Sequence, residues 1–319
     1  MLVASTVEIK PEKLEALRKE FPGVEIVVGE DLNALRDRWG EIEALITFVG
    51  SELTPEFLAA APKFRWVQLF SAGADRLPFA ELKRRGILIS NVSGIHKTSM
   101  AEQAFSYMLN FVRLTPKFIE AQKRHEWARP QGFFVFRQLK GTTLVVVGTG
   151  HIGQEIGRLG RAFGMRTVGV NSDGRPVEHF EVMYPTGRLK EALAEGDFIV
   201  VVVPLTPATR RLIGREELAV LKPTAFFINI ARGPVVDQEA LAEALKEGRI
   251  AGAGLDVFEP EPLPATSPLW DLPNVFITPH IAGWSADYTD NCLEVFRRNL
   301  RLFLAGQPLS TPVDPDLGY

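Results

Sequence analysis

The sequence predicts an α/β fold built as two doubly wound, parallel-sheet domains, and three observations carry that expectation. Short apolar runs alternate with helical patterns along nearly the whole chain, the order that builds parallel sheets covered by helices. In the middle of the chain, residues 143–171 read TLVVVGTGHIGQEIGRLGRAFGMRTVGVN, a strand, a glycine turn, an amphipathic helix and a second strand in immediate succession. The length, 319 residues, exceeds what one compact core of ordinary size holds and suits two domains.

From the N-terminus, residues 2–4, 26–28, 44–48, 66–69 and 87–89 read as strands. Residues 11–21 read as a helix with Pro11 in its first turn, and Pro55 opens another. This first unit has no G-x-G-x-x-G and is the candidate substrate domain. Within it, residues 70–75 (FSAGAD) follow a strand with small residues. Backbone N–H groups at Ser71, Ala72 and Gly73 can meet an anion there, although a plain strand-to-helix turn explains the stretch equally well. Ser99 and Glu102 fit a capping box ahead of a long helical region over residues 100–127, interrupted at Pro116. That region is long enough to join two domains and to offer a face to a second subunit. The connection over residues 129–140, with Phe133, Phe134 and Phe136, reads as packed.

The glycine turn Gly148-Thr149-Gly150-His151-Ile152-Gly153 comes next. In a dinucleotide-binding fold the first glycine permits the tight turn, the second lets backbone approach a pyrophosphate, and the third lets helix and strand pack closely. The helix N-terminus then presents unpaired N–H groups and the positive end of its dipole to the phosphates. Ile156, Leu159 and Phe163 are expected on the packed face of that helix. Strands follow over residues 198–203, 225–230, 251–256 and 275–278, with helices over 189–195, 215–221 and 237–247. A last helix over 285–305 carries Leu293, Phe296, Leu300 and Phe303 at helical spacing and returns to the first domain. The expected division is therefore a Rossmann dinucleotide-binding domain, residues 96–284, inserted into a flavodoxin-like substrate domain made of residues 1–95 and 285–319.

Composition narrows the functional classes. With 46% hydrophobic and 24% charged residues the chain reads as a globular protein, and a net charge of −3 without any lysine and arginine run argues against nucleic acid. A single cysteine, Cys292, excludes an intrachain disulfide and a thiolate metal cluster, and reads as a small buried hydrophobe. No metal site is expected. The N-terminal MLVASTVEIKPEK reads as a first strand and not a signal peptide, and the longest apolar stretch is too short to span a bilayer, so no membrane role and a cytoplasmic location are expected.

Three polar residues fall just past three strands of the second domain: Arg232, Glu261 and His280. In open α/β sheets, ligands bind outside the carboxyl ends of strands, where separate loops converge. An arginine, a carboxylate and an imidazole form a complete set for reducing a 2-keto acid. The guanidinium fork holds the substrate carboxylate and polarises its carbonyl, the imidazole delivers a proton, and the carboxylate orients the ring and favours its charged form. Each residue alone has a plainer explanation as a surface ion pair, a solvated loop acid or a turn; their shared placement favours the joint reading. No HExxH, G-x-S-x-G or P-loop lysine offers a rival chemistry.

At these residues the chain resembles the D-isomer-specific 2-hydroxyacid dehydrogenase family. The matching stretches are GTGHIG at 148–153, PLTPATRRLI at 204–213, NIARGPVVD at 229–237, GLDVFEPEPL at 254–263 and TPHIAGW at 278–284, with SAGAD and NVSG as weaker matches in the first domain. The resemblance implies that Arg232 binds substrate, His280 is the acid/base and Glu261 supports it. It places cofactor contacts at Gly148, Gly150, His151, Ile152, Gly153, Val203, Pro204, Ile230, Ala231, Asp256 near the nicotinamide, Gly283 and, more weakly, Thr98. Substrate contacts are expected at Ser71, Ala72, Gly73 and Trp284 besides Arg232 and His280. The resemblance also implies a homodimer and an active site in the cleft between domains, and the glutamate at position 261 disfavours formate as substrate.

One position departs from the pattern. Where NAD-dependent members carry an acidic residue to bond the ribose 2′-hydroxyl, this chain has Asn171, followed by Ser172, Asp173, Gly174 and Arg175. Loss of the carboxylate removes repulsion toward a 2′-phosphate, and Asn171, Ser172 and Arg175 can bond one. Asp173 argues the other way if it points inward. The expectation leans to NADP and keeps NAD open. The expected function is reduction of small 2-keto acids such as glyoxylate or hydroxypyruvate to D-2-hydroxy acids. The alternative is a nicotinamide-nucleotide-sensing binding protein, like the C-terminal-binding corepressors, with little turnover.

Overall fold

The computed structural model describes residues 1–129 and 136–319. Phe133 and Phe134 of the expected packed connection lie outside the described residues; Phe136 stacks on Phe118 at 6.1 Å, with the Arg113 guanidinium 5.2 Å from its ring. Contacts divide the chain into two compact units, Met1–Ile95 with Ser285–Tyr319, and His96–Trp284.

The first unit holds β1 (Leu2–Ser5), α1 (Pro11–Glu20), β2 (Glu25–Val28), β3 (Ile42–Thr47), α2 (Pro55–Ala60), β4 (Trp66–Leu69), α3 (Phe79–Arg84), β5 (Leu88–Ser90) and α10 (Tyr288–Leu304). Its strands pair in parallel in the order β2-β1-β3-β4-β5, which reverses direction between β1 and β3 as in flavodoxin-like sheets. Helices cover both faces because strands such as β1 and β4 are buried along their whole length. On one face α10 buries Leu293, Phe296 and Leu300, and Trp66 of β4 stacks on Phe296 at 5.6 Å and Phe303 at 5.0 Å. Cys292 sits in the same core, where burial pushes its thiol up to about 12, so it stays protonated and inert.

The second unit holds α4 (Lys97–Arg113), α5 (Thr115–Lys123), β6 (Thr143–Val147), α6 (His151–Ala162), β7 (Arg166–Asn171), β8 (Val182–Pro185), α7 (Leu189–Glu195), β9 (Phe198–Val201), α8 (Arg215–Ala219), β10 (Phe226–Asn229), α9 (Gln238–Lys246), β11 (Gly252–Leu255) and β12 (Val275–Ile277). The strands form a parallel sheet in the order β12-β11-β10-β9-β6-β7-β8, so the topological switch point lies between β6 and β9. Because every strand runs the same way, the loops after β6, β7, β9, β10, β11 and β12 all emerge at one edge.

Three local expectations are corrected. The capping box at Ser99 is not formed: α4 begins earlier, at Lys97, so Ser99 already lies in the first turn and its hydroxyl donates to the carbonyls of His96 and Gly283 at 3.2 Å each. The helical region breaks at Leu114, which adopts a left-handed conformation, and Pro116 occupies the first turn of α5, where its missing N–H is harmless. On α6, Ile156 is buried and Leu159 packs against the same core as expected, with Gly153, Gly157 and Gly160 buried beside them, while Phe163 is 40% exposed and stacks on Phe105. Gly153 and Gly160 sit where the helix comes closest to β6, a Cβ on Gly160 meeting the Leu144 side chain at 2.6 Å, and Gly157 lies under the Phe180 ring. Strand β8 went unread because its residues are all only partly buried and lack a strong apolar run.

Gly148 and Gly153 make the close approach possible. Gly148 has φ +105 and a Cβ there would meet the Val202 carbonyl oxygen at 2.7 Å, while a Cβ on Gly153 would meet the Gly148 carbonyl oxygen at 2.0 Å. A Cβ on Gly150 meets nothing within 4 Å. G153A is therefore expected to lower unfolding stability by about 1–3 kcal/mol, the usual cost of overpacking, and G150A to melt near the wild type. Equal denaturant midpoints for the two variants would contradict the packing account.

Candidate functional site

The neighbouring strands β10, β11 and β12 deliver Arg232, Glu261 and His280 to the same edge of the second unit's sheet. Arg232 follows β10 as the cap of a short 3-10 turn, Gly233–Val235. The turn is shaped by buried Asn229, whose Oδ1 accepts from the Ala231 N–H at 3.1 Å while its amide donates to the Arg232 carbonyl at 3.3 Å. Arg232 Nη1 donates to the Ala231 carbonyl at 2.9 Å.

Glu261 sits in a proline-rich loop held by Gln238, which donates to the Glu259 carbonyl and accepts from the Glu259 N–H, both at 3.0 Å. Its Oε1 accepts from the Phe258 N–H at 2.9 Å, and its Oε2 lies 2.8 Å from His280 Nδ1. Burial raises the Glu261 carboxyl, but the His280 hydrogen bond, the Phe258 N–H and the charges of His280 and Arg232 outweigh it and hold the group below its ordinary value. The imidazole side chain is 46% exposed and the carboxylate 30%, so the pair is anchored at its base and open to an incoming molecule.

His280 adopts φ +55, a left-handed conformation that a non-glycine residue holds only when its surroundings enforce it. The enforcement comes from Asp256, which directly follows β11 and is 1% exposed. Its carbonyl accepts the His280 N–H at 2.8 Å. Its carboxylate accepts the Thr278 hydroxyl and the Ile281 N–H on Oδ1, and the Ala282 N–H at 2.9 Å on Oδ2. The resemblance implies that Asp256 lies near the nicotinamide; within the protein its partners are donors of the His280 loop. The roles of Thr278, Asn229 and Gln238 escaped sequence reading: Thr278 and Gln238 act through partners far along the chain, and Asn229 through a local turn that a lone asparagine does not announce.

Buried His96, at the N-cap position of α4, also went unread. Burial, with the charge of Arg232, pushes it down to about 4, so it stays neutral and adds no competing positive charge beside the arginine. Gly283 packs against it, a Cβ there meeting the ring at 2.9 Å. Thr98 is exposed in the first turn of α4, and Trp284 is 65% exposed.

The remaining expected cofactor residues gather at the same edge. Gly148 to Gly153 lead from β6 into α6, with Gly150 at the N-cap and exposed His151 as the first helical residue. Val203 and Pro204 follow β9, and Ile230 and Ala231 follow β10. The exposed, side-chain-free Gly150, with open space where a Cβ would stand, leaves the leading amides of α6 approachable, and the donor set fits a pyrophosphate. Asn171 ends β7 and folds the next turn: its Oδ1 accepts the Gly174 N–H at 2.6 Å, and its amide donates to the Arg175 carbonyl at 3.1 Å and toward Thr149 Oγ1 at 3.4 Å. Asp173 is paired with Arg175 at 2.9 Å, and the N–H and guanidinium of Arg175 hold its carboxyl below the ordinary value. In the first unit, Ser71 Oγ donates to the Gly73 carbonyl at 2.7 Å and the Asn91 amide donates to the Ala72 carbonyl at 2.8 Å, so this turn is locally braced. Among the described residues no group of three or more His, Cys, Asp or Glu is placed to hold a metal ion, and no helix is long and apolar enough to cross a membrane.

Known proteins resemble the chain along most of its length. Residues 105–282 match the model of the D-isomer specific 2-hydroxyacid dehydrogenase, NAD binding domain. A glyoxylate reductase from Thermococcus gammatolerans is 36% identical over 320 residues, spanning 98% of this chain and 90% of the relative. Among solved structures, a D-isomer specific 2-hydroxyacid dehydrogenase family protein from Aeromonas salmonicida superposes with a TM-score of 0.85 at 35% identity, covering 99% of this chain and 98% of the other. An NADPH-dependent glyoxylate/hydroxypyruvate reductase from Sinorhizobium meliloti, solved with NADP and malonate, gives 0.82 at 29% identity, covering 98% and 97%. With a dinucleotide turn, an arginine and a carboxylate-braced histidine at one sheet edge, and with these matches along its length, the chain belongs to the D-isomer specific 2-hydroxyacid dehydrogenase family.

Proposed function

We propose that the protein reduces small 2-keto acids of the glyoxylate and hydroxypyruvate type to D-2-hydroxy acids, using NADPH in preference to NADH. The observation that carries the proposal is the 2.8 Å pairing of His280 with Glu261 beyond the strands that also present Arg232. The name of the Thermococcus relative supports the substrate class. Asn171 in place of an acid supports NADP, because a carboxylate there would repel the 2′-phosphate, and the charge of Asp173 is offset by its pairing with Arg175. The comparisons do not favour the nucleotide-sensing alternative.

In this mechanism the glycine turn and the first turn of α6 hold the dinucleotide phosphates, with His151 and Ile152 beside them and Val203, Pro204, Ile230, Ala231, Gly283 and Thr98 around the rest. When bound, the reduced nicotinamide supplies a hydride, two electrons and one hydrogen, to C2 of the keto acid. Arg232 grips the substrate carboxylate with its planar fork and draws charge toward the carbonyl oxygen. His280, whose Nδ1 is committed to Glu261, delivers the proton from Nε2 to that oxygen, leaving a hydroxyl and a neutral imidazole. Glu261 favours the charged ring before transfer. Ser71, Ala72, Gly73 and Trp284 belong to the proposed substrate contacts.

Two further elements complete the proposal. A homodimer is supported by the apolar surface of α4, α5 and the residues after them, where Leu109 is 37%, Ile119 47% and Trp127 85% exposed. A cytoplasmic location accords with a lone, unpaired Cys292.

The direct test follows absorbance loss at the nicotinamide band with NADPH and NADH in parallel, against glyoxylate, hydroxypyruvate, pyruvate and bulkier 2-keto acids. Turnover that is faster with NADPH supports the proposal, and cofactor binding without turnover across the panel overturns it. H280Q is expected to lower kcat about 10²- to 10⁴-fold, the usual worth of a general acid, with cofactor affinity by fluorescence titration nearly unchanged. Reduction needs a protonated imidazole, so the rate falls as pH rises through the histidine's titration. Removing the carboxylate, which its bond with His280 helps hold below the ordinary value, removes the partner of the charged ring, and E261Q is expected to move that limb to lower pH. An unmoved limb would mean that Glu261 does not couple to the histidine.

A further inference from the structure

Behind the His280 loop runs a chain of polar groups that the proposed chemistry leaves unused. Tyr107 lies on α4 and is 3% exposed. Its ring is laid against the backbone of β11: a Cβ on Gly254, two residues before Asp256, would meet Tyr107 Cγ at 2.5 Å. Its hydroxyl stands 2.5 Å from Thr278 Oγ1. The Thr278 hydroxyl donates its only proton to Asp256 Oδ1, so Tyr107 is the donor in its own bond with Thr278. Burial, with the negative charge of Asp256, pushes the phenol up to about 12, which keeps that proton in place.

Asp256 then accepts the N–H groups of Ile281 and Ala282, the two residues that follow the left-handed His280. Tyr107 thus touches both strands that carry the acid/base machinery, β11 through its ring and the end of β12 through its hydroxyl. A phenylalanine would fill the same space on Gly254. The hydroxyl is therefore not explained by packing.

We infer that Tyr107 is a positioning residue: through Thr278 and Asp256 its hydroxyl holds the loop in which His280 faces Glu261. The inference rests on the reductase proposal for its kinetic readout, though not for its structural one. The hydroxyl orients Thr278, Thr278 completes the donor set of Asp256, and Asp256 fixes the backbone on either side of His280. Without the phenolic proton, Thr278 is freed to rotate, and the imidazole loses part of its registration with the Glu261 carboxylate.

The test uses the full-length protein with NADPH and glyoxylate. Y107F keeps the ring on Gly254 and is expected to melt near the wild type. Its kcat is expected to fall about 3- to 10-fold, the effect of one lost hydrogen bond on a barrier, with the KM values for keto acid and NADPH little changed. The pH limb is expected to move to lower pH. T278V should show the same pattern, T278S should recover most of what T278V loses, and Y107F/T278V should be no slower than T278V alone. Wild-type kcat and an unmoved limb in Y107F, or additive losses in the double variant, would overturn the inference. If the wild type turns over no keto acid, the reductase proposal fails by itself. The inference is then read from the imidazole titration of His280 by NMR, assigned by its disappearance in H280Q: a shift in Y107F supports the relay and identical titrations overturn it.

Discussion

A carboxylate buried in a protein interior is held only where enough donors meet it, and the arrangement of the site depends on how Asp256 gathers three. The donors come from the hydroxyl of Thr278 and from two consecutive backbone amides on the far side of His280. Their convergence bends the chain past β12 into a tight loop and enforces the left-handed backbone of the histidine. The imidazole is thereby turned toward Glu261, itself pinned by the Phe258 N–H. A braced loop and an exposed imidazole result from one buried carboxylate.

The parallel sheet supplies the rest. Strands running the same way deliver every following loop to one edge, so residues far apart in sequence meet without any long loop of their own. The glycines at the start of α6 bring helix and strand together at that edge, and the interior beneath is apolar on both faces of the sheet. Rigid strands below and short braced loops above suit chemistry that needs a donor and an acceptor held to within a fraction of an ångström. The neutral state of His96 fits the same economy of charge, adding no further cation beside Arg232 and the Glu261 and His280 pair.

Legibility varied with the reach of the interaction. Trp66–Leu69 and Leu189–Glu195 are strand and helix over the residues that period and composition indicated, because a fully buried strand and a short amphipathic helix leave local marks. β8 left none, being an edge strand of partly buried residues. The capping box at Ser99 misled because Ser and Glu three apart fit the motif one turn inside a helix as well as at its start. On α6 the large apolar residues indicated the packed face at Ile156 and Leu159 but not at Phe163, which lies at the rim, and the glycines buried between them left no apolar mark.

The sequence by itself determined the alternation of strands and helices, the dinucleotide turn and the three polar residues beyond β10, β11 and β12, since each rests on neighbours along the chain. Tertiary structure alone decided how those residues are held. Tyr107 and Thr278 are 171 positions apart, and His280 and Glu261 meet only because two parallel strands end side by side. Hydrogen bonds of that reach depend on packing geometry, and packing geometry leaves no periodic trace in the order of residues.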